Sequence, residues 1–207
     1  MTEDSMTMME RVREMMARMR GQRSGTRRQR PGIRKKTSYE RGTRRTGYER
    51  KILNWQAREM TSLGMQEIKT FQEGAYDFDK IRKAHDWVLR NIKWNSDQVV
   101  YGRTDFWAIS DRVIKLKTDD CDGQAVAMWR KMLDAGLPGL EIGMAILIGN
   151  GQGHMTGSYQ IDDDFWVLDN GYMTSQIVKA SELFANKKRC KGMKPVAGFN
   201  LHQFWSY

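Results

Sequence analysis

Three residues in one order could carry chemistry in this chain: Cys121, then His154, then Asp169. A thiol is a weak nucleophile until it ionises, so its surroundings decide what it does. Cys121 lies in the run Thr118-Asp119-Asp120-Cys121-Asp122-Gly123-Gln124-Ala125-Val126-Ala127, with polar turn-formers before it and an apolar-periodic stretch after it. That pattern predicts a thiol in the first turn of a helix, where unpaired backbone N–H groups and the helix dipole favour the thiolate. His154 and the pair Asp169-Asn170 each border a strand-like segment. Cysteine, histidine and aspartate are the parts of a thiol nucleophile served by an oriented base. A buried structural cysteine is the competing reading, but it leaves the order of His154 and Asp169 a coincidence. The neighbouring acids Asp119, Asp120 and Asp122 oppose the thiolate. An ion pair with His154 is expected to outweigh them where the two side chains touch, because like charges at a solvated rim are screened.

The elements that must position these groups follow from hydrophobic period. After Cys121, Ala125, Val126, Met128, Trp129, Met132 and Leu133 form a helical stripe that closes at Gly136, ahead of Pro138. Glu141 to Ile148 then reads as a strand, and Gly149-Asn150-Gly151-Gln152-Gly153 as a turn, since it lacks the Lys-Ser/Thr ending of a phosphate loop. His154 to Ile161 and Phe165 to Leu168 read as two strands joined through Asp162-Asp163-Asp164. The odd separation of His154 and Asp169 fits an even-sized hairpin loop, which aims both side chains at one face. Upstream, Ile52, Trp55, Met60 and Leu63 predict a helix ending near Gly64, with another starting at Met65 to Phe71. Asp79 is the expected N-cap of a helix burying Ile81, Ala84, His85, Val88 and Leu89, which makes His85 a satisfied core histidine. Asp97 to Gly102 reads as loop. Cys190 reads as a bystander thiol, and His202 as a packing residue near Phe204-Trp205.

Charge is placed unevenly along the 207 residues. Positions 1–50 hold 15 Lys and Arg against 6 Asp and Glu, whereas 51–207 hold 20 against 19, so most of the net +10 belongs to the first segment. We therefore expect a basic N-terminal arm over 1–50 and a folded domain over 51–207. Thr7 and Glu10 have capping-box spacing, and Met8, Val12, Met15, Met16 and Met19 make a methionine face on a short amphipathic helix. From Gly21 to Arg50 the composition is too polar to bury a core, which predicts an extended or disordered strap. Its basic pairs suit polyanions or a partner protein, without any base-reading motif. Two cysteines make no disulfide framework, and no stretch is long and apolar enough to span a bilayer. The first twenty residues lack the apolar core of a signal peptide, so a cytoplasmic location is expected, or a virion.

Three segments taken together resemble the bacterial transglutaminase-like cysteine proteinases: Trp87-Val88-Leu89-Arg90-Asn91-Ile92, Tyr101 to Trp107, and Asp120-Cys121-Asp122-Gly123-Gln124-Ala125. His154-Met155-Thr156 and Trp166-Val167-Leu168-Asp169-Asn170 are similar to that family's histidine strand and its closing Leu-Asp-Asn. The resemblance spans roughly Asp79 to Asn170. It implies an α+β, papain-like fold: N-terminal helices, and a nucleophile at a helix N-terminus packed on an antiparallel sheet. It assigns Cys121 as nucleophile, His154 as base and acid, and Asp169 as the residue that orients His154. The Cys121 N–H and the Asp105–Trp107 segment would serve the oxyanion, with Asp105 and Trp107 as candidates, and Asn170 is a secondary partner of the histidine. Relatives that hold calcium beside the cysteine put Asp120 and Asp122 forward as ligands; otherwise no cofactor is required. The family usually reads Gly-Asp-Cys-Glu-Asp-Tyr-Ala, so Asp119, Asp122, Gly123 and Gln124 depart from it.

The reading that follows is a thiol hydrolase, most simply a cysteine peptidase acting on a protein or peptide through an acyl-enzyme. A transglutaminase-type acyltransferase shares every step up to that intermediate. The third alternative is a non-catalytic structural or adaptor protein, such as a virion component, that binds protein or nucleic acid through its arm.

Overall fold

The computed structural model describes residues 47–69, 76–139, 141–161 and 164–206. The amphipathic stretch after Thr7, the basic strap up to position 46, the segment 70–75 and the turn residues Asp162 and Asp163 lie outside the described residues.

Helix α1 (Gly47–Lys69) includes residues 47–50, counted above with the arm, and its helical backbone breaks at Gly64, where φ is 72°. Only glycine adopts that conformation without a side-chain penalty, so the break falls where the sequence places it. Helix α2 (Phe78–Asn91) is capped by Asp77, which accepts the Asp79 and Lys80 N–H groups; Asp79 sits inside the first turn. The expected cap is thus two residues late, because an Asp-rich start offers several equivalent acceptors. Strand β1 (Lys93–Trp94) follows, then α3 (Asp97–Tyr101), closed by Gly102 with φ 68°. This corrects the loop reading: a five-residue helix is too short to show a period.

Helix α4 (Ser110–Leu116) leads through Lys117, itself left-handed, into β2 (Thr118–Asp119), which pairs in parallel with β1. Helix α5 (Cys121–Asp134) starts at the cysteine and ends ahead of Gly136, whose φ is 74°.

The remaining chain builds the sheet. Strands β3 (Ile142–Gly149), β4 (Gln152–Ile161) and β5 (Asp164–Leu168) form a meander. Strand β6 (Val178–Lys179), helix α6 (Ala180–Ala185), β7 (Lys194–Phe199) and β8 (Phe204–Ser206) complete it. The six strands run β6-β5-β4-β3-β7-β8, each antiparallel to its neighbours. The β3–β4 turn is Asn150-Gly151, both at positive φ, the two-residue geometry that matches strand twist.

Each face of the sheet has its own core. On one, Trp55 of α1 meets Trp129 of α5 edge-on at 5.5 Å and Phe199 of β7 at 5.6 Å, and Trp107 stacks on Phe199. On the other, Ala145, Leu147 and Val167 pack with Leu183 of α6 and with Met193 and Cys190. Burial of side chains this large contributes on the order of 1.5–3 kcal/mol each. On the first face α5 lies against β3 and β4 and is flanked by α2 and α4. That packing fixes where its N-terminus points.

Candidate active site

The start of α5 is built from carboxylates. Asp120 caps the helix by accepting the Asp122 N–H at 3.1 Å. Asp119 is fully buried and accepts both the Tyr101 hydroxyl, at 2.7 Å, and the Asp120 N–H, at 2.9 Å. Its carboxyl lies against Gly123, where a Cβ would fall 2.2 Å from the Asp119 Cγ. Glycine at 123 is therefore demanded by the buried acid at 119, which accounts for two of the departures from the family pattern.

Cys121 is half-buried. Burial pushes its thiol up to about 12, the Asp120 and Asp122 charges push the same way, and the N–H groups of Met155 and of Cys121 itself pull it down. Burial comes first among these influences, ahead of the two close acids, and the ion pair expected where Cys121 and His154 touch is not among the leading ones. The Met155 contact nevertheless places the thiol beside the residue that follows His154.

His154 and Asp169 meet as expected. The His154 Nε2 lies 2.6 Å from Asp169 Oδ1, and both side chains are buried. The hairpin pairs Ile161 with Asp164 and Gly157 with Leu168, so the loop has two residues and Asp164 belongs to the strand. In that register Asp169 falls opposite Thr156, making His154 its diagonal neighbour on the same face. The Asp169 Oδ2 accepts the N–H groups of Met173, at 2.6 Å, and Thr174, at 3.0 Å. Burial alone would raise this acid, but the hydrogen bond and charge of His154, with those two N–H groups, hold it below the usual carboxylate range.

The secondary candidates land elsewhere. The Trp107 ring is in the core on Phe199, and Asp105 is at the surface in an ion pair with Lys51. The segment between them serves the acids instead: the Phe106 N–H donates to Asp97. Asn170 donates to the Gln124 side chain at 2.7 Å and accepts the Tyr172 N–H, so its amide ties the loop after β5 to α5.

Four residues escaped the sequence reading. His85 is a core histidine as expected, yet its Nε2 bonds the Asp169 carbonyl at 2.7 Å and so grips the site from beneath. Gln124 links Asn170 to the Ile92 carbonyl; a buried amide inside the apolar stripe of α5 was the signal available for it. Tyr172 lays its ring 4.9 Å from that of His154, half exposed above the site. The fourth is Asp97, buried in α3, which no local pattern marks.

Asp97, Asp120 and Asp122 converge, each offering an oxygen within 4.8 Å of the others. Asp97 Oδ1 and Asp122 Oδ1 are buried and have no hydrogen-bond partner among the described residues. Burial and neighbouring acids raise Asp97 to about 6 and Asp122 well above its ordinary value. Orphaned carboxylate oxygens forced together are a donor set that suits a hard divalent cation such as calcium.

Helices on an antiparallel sheet, with a cysteine opening the central helix and a histidine–aspartate pair beside it, define a papain-like thiol enzyme. The chain belongs to the family of bacterial transglutaminase-like cysteine proteinases, whose family model matches residues 54–188. It is a cysteine peptidase, and its substrate is protein. Calcium-bound LapG of Legionella pneumophila is similar in fold, with 19% identity and a TM-score of 0.52 over 76% of this chain and 86% of that one. A second structure of Legionella pneumophila LapG is similar at 20% identity and TM-score 0.52 over 78% and 81%. The EGTA-treated form gives 20% identity and TM-score 0.52 over 78% and 79%. No curated protein matches the chain. Among the described residues no helix is long and apolar enough to cross a membrane.

Proposed function

We propose that this peptidase works through Cys121, His154 and Asp169. The observation that carries the reading is the buried His154 Nε2–Asp169 Oδ1 contact of 2.6 Å, next to a Met155 N–H that acts on the Cys121 thiol. With Nε2–H donated to Asp169, Nδ1 keeps its lone pair and takes the thiol proton. The sulfur attacks the scissile carbonyl, and the Cys121 N–H at the helix start stabilises the oxyanion. His154 returns the proton to the leaving amine, a thioester remains, and water activated by His154 releases the acid. Asp169, held ionised, supports the imidazolium formed in each half.

Asp97, Asp120 and Asp122 are the residues that would hold calcium. Bound there, the ion would supply positive charge against the acids that, after burial, raise the Cys121 thiol. That LapG was described both calcium-bound and EGTA-treated supports the assignment.

A thiol-reactive acyl probe tests the triad. Labelling of the intact chain should vanish in Cys121→Ala and fall strongly in His154→Ala. Equal labelling in all three proteins would overturn the assignment. Transfer of the acyl group to an added primary amine in preference to water would make the enzyme an acyltransferase.

A further inference from the structure

We propose that the loop between α6 and β7 is a substrate subsite that selects an acidic segment of the protein being cleaved; the inference rests on the peptidase reading above. Lys187, Lys188, Arg189 and Lys191 of the loop, with Lys194 at the start of β7, put five positive charges into eight residues that hold no acid. The rest of positions 51–207 is net negative, since the whole of that region sums to +1. The loop's charge is thus a local feature. Among the described residues no ion pair takes up any of the five.

The loop is held against the site. Lys191 has a left-handed backbone, φ 50°, and its carbonyl accepts the Asn150 side chain at 2.7 Å, which staples the loop to the tip of the β3–β4 hairpin. There the Lys191 ammonium stands 4.0 Å from the centre of the Tyr172 ring. Tyr172 in turn lies 4.9 Å from the His154 ring and donates to Gln152. From the other side Arg189 bonds Thr174, whose N–H holds Asp169. Positive charge is therefore fixed at the histidine rim, whereas the acids around the start of α5 are taken up: Asp97, Asp119 and Asp122 are buried, and Asp105 is paired with Lys51. A peptide crossing such a cleft is sorted by where its own charges fall. An acidic stretch gains where it passes the histidine side.

The test uses the full chain carrying Cys121→Ala and fluorescein-labelled peptides with a randomised centre, flanked on one side by three Asp or by three Asn. Anisotropy titration should show the Asp peptides binding about tenfold more tightly at about 0.05 M salt, with most of the difference gone at about 0.5 M. In the same background K187E/K188E/K191E should reverse the preference. Equal affinity for the two peptides overturns the proposal. So does an Asp preference that survives the charge reversal, which would assign it to the segment 1–50. Displacement of the peptide by a tighter-binding DNA oligonucleotide assigns the loop to nucleic acid and overturns it as well. Acyl-probe labelling of the intact chain reports the catalytic reading separately: labelling lost with the binding preference retained would sink the triad and leave the subsite standing.

Discussion

Asp169 is the best-anchored side chain of the site: one oxygen meets His154, the other takes two backbone N–H groups, and its carbonyl is gripped by His85. Asp169→Asn keeps the shape but removes the charge that steadies the imidazolium. We expect kcat to fall by roughly 10²- to 10⁴-fold with KM little changed, read from steady-state kinetics on any cleaved peptide. A drop in kcat below tenfold would mean that Asp169 does not orient the base. His85→Phe leaves the Asp169 carbonyl buried without its donor, which costs about 1–3 kcal/mol. Urea denaturation should show that loss, with His85→Gln recovering part of it because its amide reaches a similar point. Of these residues, Cys121, His154 and Asp169 were legible because the chemistry lies in the residue types themselves. His85 was legible only as core, since a histidine on an apolar stripe looks the same whether it bonds a passing carbonyl or a catalytic loop.

At the scale of elements, the start of α5 rests on one close approach. Gly123→Ala drives a Cβ to 2.2 Å from the Asp119 carboxyl, which has nowhere to go because Tyr101 and the Asp120 N–H hold it. We expect a loss of about 1–3 kcal/mol in chemical denaturation. The double variant Asp119→Gly with Gly123→Ala should be more stable than the sum of the two single changes, because the clash disappears with the acid. Strict additivity would show that the two positions do not touch. The helix boundaries at Gly64 and Gly136 and the His154–Asp169 hairpin were readable from sequence, since glycine and strand period act locally. The one-turn helix α3 was not, and with it went Asp97. A single turn has no periodicity to detect, yet it carries the acid furthest in sequence from its partners.

For the molecule as a whole, pH sets two groups of acids against each other. Asp169, held below its ordinary value, stabilises the fold above the unfolded value and loses that contribution as pH falls through the folded one. Asp97 and Asp119, each raised from 3.8 to about 6, do the reverse. They bind more protons folded than unfolded between those values, so their contribution is greatest below about 4 and declines as pH rises through about 6. A cation among Asp97, Asp120 and Asp122 offsets that decline. Saturating calcium should therefore raise Tm by on the order of 5 °C at neutral pH, and by much less at acid pH where protons occupy the same oxygens. Asp97→Asn should abolish the effect, and a calcium shift equal at both pH values would exclude these acids as the site. Iodoacetamide should also alkylate Cys121 faster with calcium than after EGTA, because neutralised acids let the thiol ionise at lower pH.

The sequence by itself determined the thiol at a helix start, the strand carrying His154, the hairpin that returns Asp169 to it and the α+β class. Each depends on neighbours a few positions apart, and hydrophobic period and turn chemistry report those directly. Only the tertiary structure decided that Asp97 joins Asp120 and Asp122, that His85 and Gln124 hold the loop bearing Asp169, and that Lys191 and Arg189 reach Tyr172 and Thr174 beside the His154–Asp169 pair. Those pairings are made by packing α2 and α3 against α5, and the α6–β7 loop against the β3–β4 hairpin. The contacts join residues far apart in the chain, where no local pattern can encode them.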